Sequence, residues 1–226
     1  MNVAIVNQSP PAGVVTDLYL RTKALHLEAE RSGIVNDILR GQASLESYTL
    51  FLRNLLPAYQ TLETALERFN GSPTLTTLSN YKLNRAAAIE KDLLALSGSD
   101  WEDRFPLLPE ATSYEQRILF AANEDNGERL IAHAYTRYLG DLSGGLIMKR
   151  LLARSLELSY EQLTFYDFPG FPDLAVLKKD YRSALDRAGT AASIPAAIVE
   201  EGAIAFSLNI DLSLAVQRRL QESATQ

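Results

Sequence analysis

Two histidines and one unusual run of glycines are the places in this chain where chemistry could reside. His26 lies in Thr22-Lys23-Ala24-Leu25-His26-Leu27-Glu28-Ala29-Glu30. On a helix, His26 and Glu30 share a face at i, i+4. A carboxylate there can accept from one ring nitrogen, fix the tautomer and aim the other nitrogen at a metal. The same spacing also describes an ordinary surface histidine beside an acid, and this stretch alone leaves both readings open. His133 stands in a more apolar setting and reads as a buried, hydrogen-bonded helix histidine, not a ligand.

The second feature is Ala132-His133-Ala134-Tyr135-Thr136-Arg137-Tyr138-Leu139-Gly140-Asp141-Leu142-Ser143-Gly144-Gly145. It sits inside an otherwise good helix. Each mid-helix glycine costs about 1 kcal/mol against alanine, so Gly140, Gly144 and Gly145 need a reason. One reason is a helix crossing, where small residues admit a neighbour. The other is a backbone that lies nearly flat on a bulky planar ligand. Asp141 among the glycines favours the second.

The elements that must position these residues are helical. Apolar spacing follows the helix period, and strand-like alternation is almost absent. Thr16 is expected to cap a helix to about Arg31, followed by a short piece from Gly33 to Arg40. Ser44 opens a long helix through Phe69 with Pro57 inside it. Further helices are expected over 84–97 and 112–123. Another is expected over 128–155, interrupted by the glycine cluster. Asp173 caps a helix to about Arg187, and Ser193 with Pro195 opens the last one. The run Phe165-Tyr166-Asp167-Phe168-Pro169-Gly170-Phe171-Pro172 reads as an aromatic loop. No linker marks a boundary, so residues 15–222 are expected to form a single all-α domain after a flexible tail over 1–14.

Composition narrows the function. The 226 residues carry a formal net charge of -6, which disfavours nucleic acid as a partner. There is no cysteine, which excludes disulfides, thiolate nucleophiles and cysteine-bound metal centres. The start MNVAIVNQSPPAG lacks the pattern of a secretory signal, and no segment is apolar enough to span a bilayer. A cytoplasmic protein with no membrane attachment is expected.

The string AHAYTRYLGDLSGG is similar to the signature of heme oxygenases, and TKALHLEAE resembles their proximal-histidine segment. Further matches follow in order: Tyr59-Gln60-Thr61-Leu62-Glu63, Arg85 with Glu90 and Asp92, Phe165 to Phe168, Tyr181-Arg182-Ser183, and Phe206 with Asn209. The resemblance implies a heme-oxygenase-like helical bundle with a glycine-kinked distal helix. It implies cleavage of heme b, both substrate and cofactor, to biliverdin, carbon monoxide and ferrous iron. The reaction would use O2 and electrons from a ferredoxin, a flavodoxin or an NADPH-linked reductase. His26 would be the iron ligand and Glu30 its orienting partner. Gly140, Ser143 and Gly144 would form the distal surface. Asp141 would organise water that delivers a proton to oxygen at the iron, as an exposed, ionised carboxylate. Tyr59, Thr136, Arg137 and Asn209 would complete that network. Lys23, Lys178 and Arg182 would meet the heme propionates, and Tyr135 and Phe206 would wall the pocket.

Two positions depart from the family pattern around the site: Leu146 where glutamine is usual, and Tyr19 where a basic residue is common. They motivate an alternative, a relative that binds heme without degrading it. The segment before Arg85 also lacks the usual Tyr-Phe-Pro. A third reading is a helical enzyme without heme, such as a di-iron oxidase or a thiamine-pathway hydrolase. It fares poorly, because no Glu-x-x-His element and no cysteine is present.

Overall fold

The computed structural model describes residues 13–223. Most of the expected tail, residues 1–12, lies outside them. Eleven α-helices run in chain order: α1 (Val14–Glu30), α2 (Gly33–Leu39), α3 (Leu45–Arg68), α4 (Thr76–Ser79), α5 (Ala86–Ser97), α6 (Trp101–Arg104), α7 (Pro109–Asn123), α8 (Leu130–Ala134), α9 (Gly140–Ser155), α10 (Leu174–Ala191) and α11 (Pro195–Ser223). A five-residue π-helical turn, Tyr135–Leu139, joins α8 to α9. No strand occurs among the described residues.

The core is one apolar cluster that reaches every long helix. Leu18 of α1, Leu52, Leu55 and Leu62 of α3, Ile118 of α7, Ile131 of α8, Leu185 of α10, and Ile198 and Leu212 of α11 are all buried within it. α11 is the central pillar, packing against α1, α2, α7 and α8. Close approach of α2 to α11 requires Gly33. Its φ is +55°, and a Cβ there would stand 2.3 Å from the Ser213 carbonyl oxygen.

Some helix starts follow the local sequence. Ser44 Oγ accepts from the Ser47 backbone N–H at 3.1 Å, and Asp173 Oδ1 accepts from Ala175 at 2.8 Å. The long helix α3 continues through Pro57, which is buried. Three other starts are capped by carboxylates from distant elements. α1 begins at Val14, not after Thr16, because Asp186 Oδ1 of α10 accepts from the Val15 N–H at 2.9 Å. Glu63 of α3 accepts from Ala86 N–H at 2.9 Å and caps α5. Glu128 Oε2 accepts from Ser193 N–H, Ser193 Oγ–H and Ile194 N–H at 2.8, 3.0 and 3.2 Å, so the start of α11 rests on Glu128 and not on the Ser193 side chain.

Loss of such a cap leaves orphan N–H donors. Glu128→Ala is therefore expected to cost about 1–2 kcal/mol. For a chain of this size that lowers the thermal midpoint by about 2–8 °C. A calorimetric scan checks it. An unchanged midpoint would mean that water replaces the carboxylate without loss.

The aromatic loop is pinned under α9 by three charged side chains. Asp92 accepts from Thr164 N–H, Thr164 Oγ–H and Phe165 N–H at 2.8, 2.6 and 2.8 Å. Arg85 donates to the carbonyls of Phe165 and Asp167, and its guanidinium lies 4.2 Å from the Phe168 ring centroid. Lys149 Nζ meets Asp167 Oδ1 at 2.6 Å. The loop ring of Tyr166 comes to rest beside Gly145, where a Cβ would be 3.3 Å away.

Candidate functional site

α1 presents His26 outward. Its side chain is 57% exposed, and Nδ1 lies 3.5 Å from Glu30 Oε1. No side chain among the described residues bonds its Nε2. The imidazole stands 5.8 Å, ring to ring, from Phe206 of α11, and Phe206 stands 6.5 Å from Tyr135. Burial raises the Tyr135 phenol above its usual range, opposed by a hydrogen bond with Thr22 and the nearby positive charge of Arg182. A continuous wall therefore runs from His26 through Phe206 and Tyr135 toward Arg182 of α10.

Tyr135 begins the π-helical turn, and α9 continues directly from it. The break in α-helical geometry thus precedes the glycines and does not fall among them. Gly140 itself is helical, with φ -61° and ψ -52°. A Cβ built on Gly140 or Gly144 would meet nothing within 4 Å, so the backbone there borders open space. Gly145 differs: it makes room for Tyr166. The two explanations for the glycines are divided between them, one residue serving helix packing and two bordering a space. Ser143 Oγ donates to the Leu139 carbonyl at 2.6 Å.

Beside that open backbone lies a connected polar chain. Tyr59 Oη of α3 donates to Asp141 Oδ2 at 2.7 Å. The Arg137 guanidinium lies 5.2 Å from the Tyr59 ring centroid, and Arg137 Nη1 donates to Asn209 Oδ1. Asn209 Nδ2 donates to the Ala205 carbonyl at 2.7 Å and to Tyr114 Oη at 3.1 Å. Asp141 is half-buried, not exposed as the sequence suggested. Burial raises its pKa, while the Arg137 charge, the Tyr59 hydrogen bond and the more distant Arg85 pull it back.

The structure brings together Tyr59, Arg137, Asp141 and Asn209. It does not bring the Thr136 hydroxyl to them, because that group donates to the Ala132 carbonyl of its own helix at 2.9 Å. Tyr114, which sequence reasoning did not single out, is buried and joins the chain through Asn209. No local pattern marks Tyr114, since its partner is 95 residues away. Lys23, Lys178 and Arg182 are exposed, and among the described residues none has a carboxylate in ion-pair range, whereas Arg21 is held by Glu200 at 2.9 Å. Leu146 is 43% exposed and takes no part in the core. Tyr19 is 51% exposed.

His133 is fully buried, as its apolar setting suggested. Its Nε2 lies 3.0 Å from Glu201 Oε1 of α11. Arg117 binds the same carboxylate through two nitrogens at 2.8 and 2.5 Å. Burial pushes the Glu201 acid up, but bonds to His133 and Arg117 prevail and hold it at about 2. Its folded pKa is below the ordinary 4.5, so this stabilisation is present above pH 4.5 and is lost as pH falls toward about 2. Acid unfolding of the chain is expected to steepen across that interval. Glu201→Gln should flatten that slope in a pH-dependent urea titration, and an unaltered slope would remove Glu201 from the acid transition.

Among the described residues no group of three or more histidine, aspartate or glutamate side chains is placed to hold a metal ion. The sequence profile of the heme oxygenase family matches residues 13–215. The chain belongs to the heme oxygenase family. It is 34% identical to heme oxygenase 1 of Rattus norvegicus over 204 residues, which span 89% of this chain and 70% of the relative. It is also 34% identical to heme oxygenase 1 of a Nostoc cyanobacterium over 203 residues, 89% of this chain and 84% of that protein. The crystal structure of heme oxygenase-1 from the cyanobacterium Synechocystis in complex with heme superposes with a TM-score of 0.85 at 29% identity, covering 95% of this chain and 96% of that one. The heme oxygenase of Leptospira interrogans gives 0.83 at 31% identity, covering 90% and 99%. As a heme oxygenase, the protein binds heme and converts it to biliverdin.

Proposed function

We propose that heme lies between α1 and α9, with His26 Nε2 holding the iron from one side and Gly140 and Gly144 bordering it on the other. The residues present fit such a group. An exposed imidazole with an unpartnered nitrogen, a glycine backbone facing open space and three unpaired cations suit a planar, dianionic metal porphyrin. Bound there, the heme supplies the iron that activates O2 and the porphyrin ring that is opened, with carbon monoxide and ferrous iron released beside biliverdin.

The chain's own residues do the rest. Glu30 orients His26 through Nδ1. Lys23, Lys178 and Arg182 bind the propionates, which fixes the rotation of the ring and so the edge that meets Asp141. Phe206 and Tyr135 exclude water on the histidine side. Asp141 is acceptor-only when ionised. Tyr59 occupies its Oδ2, and Oδ1 is left to orient a water that carries the proton. Arg137, anchored by Asn209, favours the charged form of that carboxylate against its burial. Ser143 contributes surface, not a free hydroxyl, and Thr136 acts through its place in the turn.

The single observation carrying this reading is the Tyr59–Asp141 bond beside the open Gly140 backbone. Electrons would come from a ferredoxin, a flavodoxin or an NADPH-linked reductase, which basic residues near the heme edge would meet despite the net charge of -6. No described helix is long and apolar enough to cross a membrane, and we place the protein in the cytoplasm. An absorption time course in air tests the reading, using the heme complex with ferredoxin, its reductase, NADPH and catalase. Loss of the Soret band with growth of a biliverdin band is the expected result. A Soret band that persists after the iron is shown to be reduced would mean a heme carrier, and Leu146 would be the first residue to revert.

A further inference from the structure

A file of tyrosine rings leads away from the site. Tyr59, which donates to Asp141, has its ring centroid 6.2 Å from that of Tyr138. Tyr138 lies 6.2 Å from Tyr181, and Tyr181 lies 5.2 Å from Tyr81. All three spacings are those of rings in contact. Tyr59, Tyr138 and Tyr181 are buried, whereas Tyr81 is only half-buried and reaches solvent. The other ring path from Tyr59, through Phe165 at 5.5 Å to Tyr166 at 4.8 Å, ends at a buried residue. Beyond Tyr59 itself, neither path takes part in the heme contacts or the proton chain described above.

We infer that the Tyr59–Tyr138–Tyr181–Tyr81 file is a one-electron conduit by which Tyr81, at the surface, returns an electron to a site that has been over-oxidised by a peroxide. The inference rests on the heme placement proposed above.

The ends of the file differ from its middle in the property that matters. A phenol gives up an electron readily only if its proton has somewhere to go. Tyr59 has Asp141 as acceptor at 2.7 Å, and Tyr81 has water. The Tyr181 hydroxyl is buried without a partner, so a radical does not settle there. Its ring serves as a bridge. The Arg137 cation, 5.2 Å from the Tyr59 ring, opposes positive charge on that ring and favours its passage outward.

The balance closes with an organic hydroperoxide as oxidant. ROOH takes up two electrons and two protons, its O–O bond breaks, and it leaves as ROH and water. One of the electrons would be supplied by the heme when bound as proposed above. The other comes from Tyr81, whose phenolic proton passes to water and leaves a neutral phenoxyl radical. The second proton consumed comes from solvent.

The test mixes the heme-loaded full chain with tert-butyl hydroperoxide and a nitroso spin trap, followed by peptide mass spectrometry. A trap adduct on Tyr81 is expected, with little on Tyr160, which is 54% exposed but outside the file. Tyr81→Phe should lose that adduct and leave a tyrosyl signal in the rapid-freeze electron paramagnetic resonance spectrum, now from Tyr59. Tyr181→Leu, which breaks the ring contact, should also lose the adduct while Tyr81 is still present. Labelling of Tyr160 ahead of Tyr81, or an undiminished Tyr81 adduct in Tyr181→Leu, overturns the conduit. Failure of hemin to give a histidine-ligated Soret band in the unaltered chain would instead overturn the heme placement, and the conduit with it.

Discussion

The His26→Ala chain is expected to lose the absorption bands of histidine-ligated ferric heme and to bind heme about 100-fold more weakly. Outer partners of a metal-bound histidine are typically worth about 10–100-fold, and the ligand itself stands at or above the top of that range. Glu30→Gln, which retains the shape but weakens the acceptor, should fall near the lower end, about tenfold. The ordering matters more than either value, because it separates a ligand from a surface histidine that happens to neighbour an acid. Adding imidazole to His26→Ala should restore the bands, since the space vacated opens to solvent. Hemin titration followed at the Soret maximum checks both variants. An unaltered spectrum and affinity in His26→Ala would remove it as the ligand.

Asp141→Ala should behave in the opposite way, keeping heme and losing product. Nothing in the geometry has Asp141 holding the ring, so affinity is expected to stay within a few-fold. Biliverdin yield should fall by about 100-fold or more, the scale of a positioned proton donor or acceptor. Asp141→Asn is the sharper variant, because it keeps the size and the bond from Tyr59 but cannot carry charge. If yield in Asp141→Asn matches the parent, proton handling belongs elsewhere in the site. Tyr59→Phe should give a smaller loss, since it removes one donor to a carboxylate that Arg137 still supports.

Legibility of the sequence followed the range of each interaction. The helices over 44–69 and 173–187 could be read because their start signals are their own: Ser44 and Asp173 cap the backbone within three residues. The starts at Val14 and Ala86 could not be placed by local rules, because Asp186 and Glu63 arrive from other helices; Pro195 marked the start of α11 locally, although the cap itself comes from the distant Glu128. The site divides in the same manner. His26 with Glu30, and Asp141 beside Gly140 and Gly144, are sequence neighbours on one helix, so periodicity could pair them. The bond from Arg137 to Asn209 spans 72 residues and that from Asn209 to Tyr114 spans 95. Resemblance supplied the first of these pairings and nothing supplied the second. The exposure expected of Asp141 was misread for the same reason: Tyr59 reaches it from α3, which the local string does not contain.

The wide turn at Tyr135–Leu139 sets a phase. A π-helical turn holds one residue more than an α-helical turn, which offsets everything after it by about 100° around the helix axis. Upstream of the turn, the angular setting is fixed by His133, locked to Glu201 inside the protein. Downstream, the setting must aim Gly140 and Gly144 at open space and Gly145 at Tyr166. An uninterrupted α-helix could satisfy one of these orientations but not both. The spare residue works as an offset between two gears on one shaft. Removing any one residue between 135 and 139 would let the helix close to ordinary geometry, and it would swing Asp141 away from Tyr59 without altering a single residue of the glycine run.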